Sequence, residues 1–231
     1  VRVYFNVDYV VGDFQQDNVS DRLSILKEIW SKTPVPPIKI TYDSASLWKE
    51  VTRIVYPVCV YYNRRAPYLC AYGQDAKNKK QLVYKNYRLD RIMDLKEICW
   101  NAPEVPPALR NDLSTPSDEK YTPAHIIERL DEALGFDFYQ PKATMILRFP
   151  RDFHDAYIEN TIRHQTFQIL EAEKDFTNLL QKLNLTSEAQ TILKQRRERF
   201  PDDAYYQLDY RLNDNDVIMR LRAWGYNVEV L

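Results

Sequence analysis

The spacing of apolar and polar residues changes period several times along the chain. Arg2–Val11 is rich in Val, Tyr and Phe and reads as a strand or an extended arm. From Ser20 to Trp30 the period is helical: Leu23, Leu26, Ile29 and Trp30 fall on one face behind a cap at Ser20 or Asp21. Pro34, Pro36 and Pro37 end that helix, because a helix interior cannot accept them. Strand alternation follows, with Ile38, Ile40 and Tyr42 separated by polar residues. Arg53–Tyr62 and Tyr68–Tyr72 flank a polar tip at Asn63-Arg64-Arg65, which predicts a hairpin with Cys59 opposite Cys70. Gln81–Leu89 follows a basic loop, Asp75–Lys80. Short strands at this spacing predict a small antiparallel barrel.

Asn101–Lys120 carries Pro103, Pro106, Pro107 and Pro116 among scattered charges and reads as a linker. Thr122 then serves as an N-cap with Pro123 at the first helical position, and Gly135 closes the helix. A second module opens near Ala143. Thr144–Phe149 reads as a strand, Phe153 to about Lys182 as a long helix, and Ser187–Phe200 as another helix with Ser187 and Gln190 spaced as a capping box. Tyr205–Leu212 is a strand. Asp214 caps a last helix carrying Val217, Ile218, Leu221 and Trp224, Gly225 stops it, and Tyr226–Leu231 is a final strand. The whole is an α+β chain in four stretches: an arm and helix over 1–33, a barrel over 34–100, a linker with a helix over 101–141, and an α+β domain with an inserted helical pair over 142–231.

Composition narrows the setting. Of 231 residues 45% are hydrophobic and 28% charged, enough to bury a core without disulfide staples. Cys59, Cys70 and Cys99 are an odd number without C-x-x-C spacing, which points to a reducing, cytoplasmic compartment and away from zinc. No apolar run approaches the roughly 18 residues of a membrane span, and the start lacks a charged-then-apolar leader. A first residue Val1 in place of Met leads us to expect further chain upstream.

Charge changes the picture more. The net charge of −1 hides an asymmetry: Ile38–Met93 holds 11 Lys and Arg against 4 Asp and Glu, leaving the rest at −8. A basic module on an acidic frame attracts anions. Arg53, Arg88 and Arg91 are interleaved there with Tyr42, Tyr68, Tyr72 and Tyr87. Arg presents a planar fork that meets two phosphate oxygens, and Tyr offers a flat face for a base. Strict alternation places Arg88 with Asp90 on one face and Arg91 with Leu89 on the other. The two arginines converge only if the strand bends or ends near Asp90, which could itself pair with an arginine and orient it. The competing reading makes each arginine a structural ion pair and Tyr42 and Tyr87 core residues.

Other signals are weaker. Cys59 and Cys70 read as packed free thiols, with a redox switch as the alternative. Arg148 and His154 have an R-x5-H spacing found in some ribonucleases, but Pro150 between them prevents a shared helix. His125 and His164 read as surface or packing residues, and Arg196, Arg197 and Arg199 as cations at a helix C-terminus. Four glycines leave no phosphate loop, and G-x-S-x-G, H-E-x-x-H and paired metal ligands are absent from the sequence. No catalytic residue, metal or cofactor is expected.

The runs Thr52-Arg53-Ile54-Val55-Tyr56-Pro57, Pro67-Tyr68-Leu69-Cys70-Ala71-Tyr72 and Tyr87-Arg88-Leu89-Asp90-Arg91-Ile92 resemble a WYL domain. Tyr42, Arg53, Pro57, Tyr68, Leu69 and the stretch Arg88 to Ile92 match that pattern. Pro67 stands where the family has its eponymous Trp, and Tyr87 where it has Phe. Met145–Phe149, Tyr205–Arg211 and Val217–Leu231 resemble the C-terminal extension of many such proteins. The helical insertion from about Asn160 to Phe200 and the arm Val1–Val11 lie outside the resemblance, and their arrangement is similar to WYL regulators associated with cyanobacterial CRISPR gene clusters. The resemblance implies an Sm-like or SH3-like barrel in a homodimer, following a winged-helix domain that binds operator DNA. It implies a single-stranded nucleic acid or phosphorylated nucleotide as ligand, held by Tyr42, Arg53, Tyr68, Tyr87, Arg88 and Arg91. The expected role is the sensing and dimerising part of a transcription regulator without enzymatic activity. The alternatives are a dimerisation or docking module without a ligand, and a nuclease using Arg148 and His154.

Overall fold

Pro34 and the residues around it stop a helix that starts earlier than its apolar stripe suggests. In a computed structural model, which describes residues 13–45, 47–63, 66–75, 81–113, 119–171, 173–183 and 185–231, helix α1 spans Asp13–Trp30. Ser20 and Asp21, expected as caps, therefore lie inside the helix, where the Ser20 carbonyl accepts from Ser24 Oγ. The expected arm Arg2–Val11, Arg64 and Arg65 of the hairpin tip, residues 76–80 of the basic loop and Pro116 lie outside the described residues. The chain divides into two compact units after Ile126.

In the first unit, strands β1 (Ile38–Ser44), β2 (Lys49–Asn63), β3 (Ala66–Gln74), β4 (Leu82–Arg88) and β5 (Ile92–Glu97) form one antiparallel sheet in the order β4-β3-β2-β1-β5. Period-two alternation sorts the side chains. Ile38, Ile40, Val55, Leu69, Ala71 and Tyr87 share a core with Leu26 and Ile29 of α1. Burying two such aliphatic side chains anchors the helix by about 1.5–3 kcal/mol each. Trp30 Nε1 donates to the Pro57 carbonyl at 2.9 Å, and Arg22 Nη2 to the Met93 carbonyl at 2.8 Å.

The expected barrel is an open sheet among the described residues. A 3-10 turn, Leu89–Arg91, carries the chain from β4 to the far edge, where β5 pairs with β1, and no ladder joins β5 to β4. The proline-bearing stretch after β5 packs on the sheet's other face. Val105, and Leu109 of helix α2 (Pro107–Asp112), are buried against Ile54, Tyr56 and Tyr72. Tyr72 and Tyr121 both donate their hydroxyls to Asp112 Oδ2, at 2.9 and 3.2 Å. Helix α3 (Pro123–Asp131) opens as its sequence predicts, with Thr122 Oγ1 accepting from the His125 amide.

The second unit is built on β6 (Lys142–Phe149), β7 (Gln168–Ile169), β8 (Ala204–Arg211) and β9 (Glu229–Val230), antiparallel in the order β7-β8-β6-β9. Met145, Leu147 and Phe149 form one core with Leu208 and Val217. Ile146 and Tyr205 face the other way, onto Phe176, Leu179, Leu180 and Leu193. Those four come from the helical pair that the sequence places as an insertion.

The long helix expected from Phe153 to Lys182 is interrupted. After α4 (Arg151–Phe153) a π turn runs over His154–Ile158, Asn160 takes a left-handed φ of 59°, and α5 begins only at Glu173 and ends at Lys182. Between them Gln168 and Ile169 pair with Gln207 and Tyr206 on the edge of β8, so strand pairing overrides helix propensity. Helix α6 (Ser187–Arg199) is capped one residue before the expected box, by Thr186, whose Oγ1 accepts from the Ala189 amide at 3.2 Å. Asp214 caps α7 (Asn215–Ala223) as expected, and Gly225, at φ 58°, ends it. The final strand is shorter than expected, because a 3-10 turn, Gly225–Asn227, precedes β9.

Candidate ligand site

Strand β4 ends at Arg88, and this termination resolves the alternation problem. Leu89 is fully buried and pins the 3-10 turn, so Arg88, Asp90 and Arg91 all line one cavity of about 600 Å³. Asp43, Ser44 and Trp48, from the end of β1 and the β1–β2 turn, complete its wall. Asp90 grips Arg88 at two points, Nε to Oδ1 at 3.0 Å and Nη2 to Oδ2 at 2.6 Å. The Asp90 side chain is only 3% exposed and that of Arg88 23%, so the carboxylate is a fixed support and the guanidinium is the group nearer to solvent. The anticipated orienting role of Asp90 is therefore present in the geometry.

Tyr42 lies behind these groups. Its ring meets Tyr87 edge-on, with centroids 5.1 Å apart at 82°. Burial raises the Tyr42 phenol above its usual range, opposed by a hydrogen bond from the Arg88 backbone and by the charges of Arg91 and Arg88. Tyr87 itself is buried in the sheet core, where burial pushes its phenol up against the pull of nearby Arg53. Arg53 sits opposite Ile40 on β1, and its Nη1 donates to the Thr52 carbonyl at 2.8 Å. Tyr68 is the direct cross-strand partner of Arg88 and, on the other side, of Tyr61. The cavity thus gathers Arg88 and Arg91, with Tyr42 behind them. Arg53, Tyr68 and Tyr87 lie on neighbouring strands and do not line it.

Trp48 and Ser44 were absent from the sequence candidates. Trp48 is 91% exposed and holds a left-handed φ of 53°. A bulky non-glycine residue there costs roughly 1–2 kcal/mol, and an exposed indole has no packing to offset it. The available signal was a Trp in a tip of four residues, 45–48, closed by the Ser44–Lys49 pair. Lys85, opposite Ala71 and two residues before Tyr87, adds a further cation on the Tyr87 face of β4.

In the second unit Arg148 and His154 do not form a common site. Arg148 Nε donates to Glu229 Oε2 at 2.6 Å, its Nη1 bonds Asp203, and its guanidinium lies over the Phe200 ring. His154 is buried between Asp155 Oδ1 at 2.7 Å and the Tyr206 hydroxyl at 2.9 Å. Arg196, one of the helix-end arginines, shares Glu229 with Arg148. His164 packs with Nδ1 against Thr166 and Nε2 against the Leu130 carbonyl, and burial lowers its pKa. Among the described residues no group of three or more His, Cys, Asp or Glu could hold a metal, and no helix is long and apolar enough to cross a membrane.

Residues 36–97 match the WYL domain family. No curated protein matches the chain. Among solved structures, the chain is similar to proteasome accessory factor B/C of Arthrobacter aurescens at 14% identity and a TM-score of 0.32, over 97% of this chain and 25% of that one. The chain thus spans about a quarter of that protein's length.

Proposed function

We propose that this chain is the ligand-sensing part of a transcription regulator, whose WYL segment binds a single-stranded nucleic acid or a phosphorylated nucleotide and thereby controls DNA binding. The observation that carries the reading is the convergence of Arg88 and Arg91 on one cavity beside the exposed indole of Trp48. Two forked cations suit phosphate oxygens, and an uncovered indole suits a base. Tyr42 steadies the Arg88 backbone, and Tyr68 and Arg53 extend the basic and aromatic surface along the neighbouring strands.

In this reading the first unit is an Sm-like barrel whose last strand follows the 3-10 turn, and the second unit is the C-terminal extension. A DNA-binding domain of the same regulator holds the operator, two copies pair, and the regulated genes are of the CRISPR-associated kind. The protein works in the cytoplasm and catalyses no reaction. A switch of this kind requires the ligand to bind the two regulatory states with different affinity.

Fluorescence anisotropy against labelled single-stranded DNA, single-stranded RNA and short phosphorylated or cyclic oligonucleotides tests the proposal. Saturable binding of one class is expected. Two phosphate contacts on a single strand give a log–log salt slope of about −1.4, and Arg88→Ala removes most of the affinity. Folded protein that binds none of these probes would overturn the reading. A docking or dimerisation module without ligand is the second reading. It is favoured by the exposed apolar side chains Ile218 and Met219 of α7 and the nearby Tyr226, and light scattering of the intact chain and an Ile218→Asp/Met219→Asp variant decides it.

A further inference from the structure

Cys59 and Cys70 are direct cross-strand partners on β2 and β3, next to the register shift between Pro57 and Cys59. They are free thiols, hydrogen-bonded to each other. Directly opposed antiparallel residues have Cα atoms roughly 4.5 or 5.5 Å apart, and both values lie inside the roughly 4.4–6.8 Å that a disulfide spans. The pair is asymmetric. Cys70 is completely buried, whereas Cys59 is half-buried and within reach of a small solute. Donation of the Cys70 S–H to Cys59, together with burial, raises the Cys70 thiol, and acceptance of that hydrogen lowers Cys59. Cys59 is thus the thiol that ionises first, and the thiolate is the form that reacts.

The pair also adjoins the candidate site. Cys70 lies two residues beyond Tyr68 on β3, and the strand partners of these two residues on β4 are Asn86 and Arg88. On a pleated strand these four share one face. A covalent bond between β2 and β3 at this row acts on the local twist that sets the Tyr68–Arg88 pair.

We propose that Cys59 and Cys70 are a redox modification site, at which a hydroperoxide drives a cross-strand disulfide that changes ligand affinity at the Arg88 cavity. The Cys59 thiolate attacks a peroxide oxygen. The O–O bond breaks, hydroxide leaves and takes up a proton as water, and Cys59 becomes a sulfenic acid. The Cys70 sulfur then attacks the Cys59 sulfur, the S–O bond breaks, and the hydroxyl leaves as water with the Cys70 proton. Hydrogen peroxide is reduced to two waters, and two thiols are oxidised to one disulfide. Dithiothreitol reverses the change. The chemistry stands on the thiol geometry alone, and only the affinity effect rests on the ligand site proposed above.

The test uses the full chain carrying Cys99→Ser, which removes the exposed third thiol. After hydrogen peroxide treatment and alkylation under denaturing conditions, mass spectrometry should show the loss of two hydrogens, no alkyl group on either cysteine, and a linked 59–70 peptide. Cys59→Ala and Cys70→Ala should each abolish the link, and the half-buried Cys59 position keeps the control usable if Cys70→Ala fails to fold. Two alkylated thiols, or a sulfinic acid at Cys59 beside a free Cys70, would overturn the modification site. Anisotropy with labelled single-stranded DNA and RNA should then differ about fivefold or more between reduced and oxidised protein, the lower range of coupling between sites. A disulfide that forms and leaves affinity unchanged would overturn the switch. If neither form binds either probe, the ligand assignment fails, while the mass readout still decides the disulfide.

Discussion

Arg88 has two candidate roles, partner of Asp90 and ligand of an anion, and a double substitution separates them. Arg88→Ala leaves the Asp90 carboxylate, 3% exposed, without the guanidinium that meets both of its oxygens. Breaking a fully buried pair costs about 3–5 kcal/mol. Water reaches Arg88, which is 23% exposed, so about 1–3 kcal/mol is expected here. The same substitution removes charge-assisted hydrogen bonds to a phosphate, worth about 1.5–3 kcal/mol or roughly 10- to 100-fold in affinity. Asp90→Asn in the Arg88→Ala background removes the stranded charge at nearly constant volume. Urea unfolding should then recover most of the lost stability, while anisotropy should show affinity still reduced. Recovery of affinity together with stability would show that Arg88 acts only as the partner of Asp90. An Arg88→Ala protein with undiminished affinity would remove the site altogether.

Three further outcomes follow from the same geometry. Trp48→Gly relieves a left-handed backbone and should raise stability by about 1 kcal/mol while weakening the ligand by about 1–3 kcal/mol of stacking; equal affinity in titrations of both proteins would deny the indole a role. Asp214 accepts from the Phe136, Asp137 and Asp216 amides at 2.6, 2.7 and 2.7 Å, so Asp214→Ala should lower stability by about 3 kcal/mol or more, and an unchanged urea midpoint would contradict this. Glu229 is held below its usual 4.5 by its hydrogen bond from Arg196 and then by Arg148. A lowered folded-state pKa contributes stability above 4.5 that is lost as pH falls through the folded value. The stability gap between wild type and Glu229→Gln should therefore close in acid, and a gap constant from neutral pH to well below 4.5 would refute the pairing.

The fold was legible where local chemistry decides it. Alternation located β1 to β4, β6 and β8 but not β5, the Thr122-Pro123 and Asp214 caps opened their helices, and the hairpin centre placed Cys59 opposite Cys70. It was illegible where a distant partner decides it. Residues 159–169 carry enough helical character to continue α4, yet the edge of β8 recruits Gln168 and Ile169 as a strand. The buried Arg211 is another such case. Its Nη2 donates to the Arg129 carbonyl and reaches Glu132, and its Nη1 donates to the Gln140 carbonyl. Gly135, at φ 149°, passes so close that a Cβ there would lie 2.8 Å from both Arg211 Cβ and Asp214 Oδ2. Helix α3 already ends at Asp131, four residues before the glycine expected to close it, so Gly135 serves the packing of Arg211 and Asp214, which no local pattern announces.

The candidate site repeats this division. Arg88, Asp90 and Arg91 were legible as residue types, and period-two alternation correctly warned that a straight strand would separate the arginines. The break that unites them depends on Leu89, whose complete burial sets a 3-10 turn in place of another strand residue. A buried Leu looks the same in sequence whether it extends a strand or ends one. Trp48 was hidden for the opposite reason. Hydrophobic pattern assigns an indole to a core, whereas the fold leaves it exposed, at a backbone angle that favours glycine. Stability alone would not retain a large aromatic under those two penalties, since glycine relieves the backbone and a polar residue suits the exposure. Its position beside two arginines supplies a reason for keeping it under the proposed function, because a base stacked there would regain by contact what the free protein gives up in strain. On the proposed reading, the strain at Trp48 and the Asp90 support under Arg88 thus bear on one requirement, an anion that also carries a flat ring.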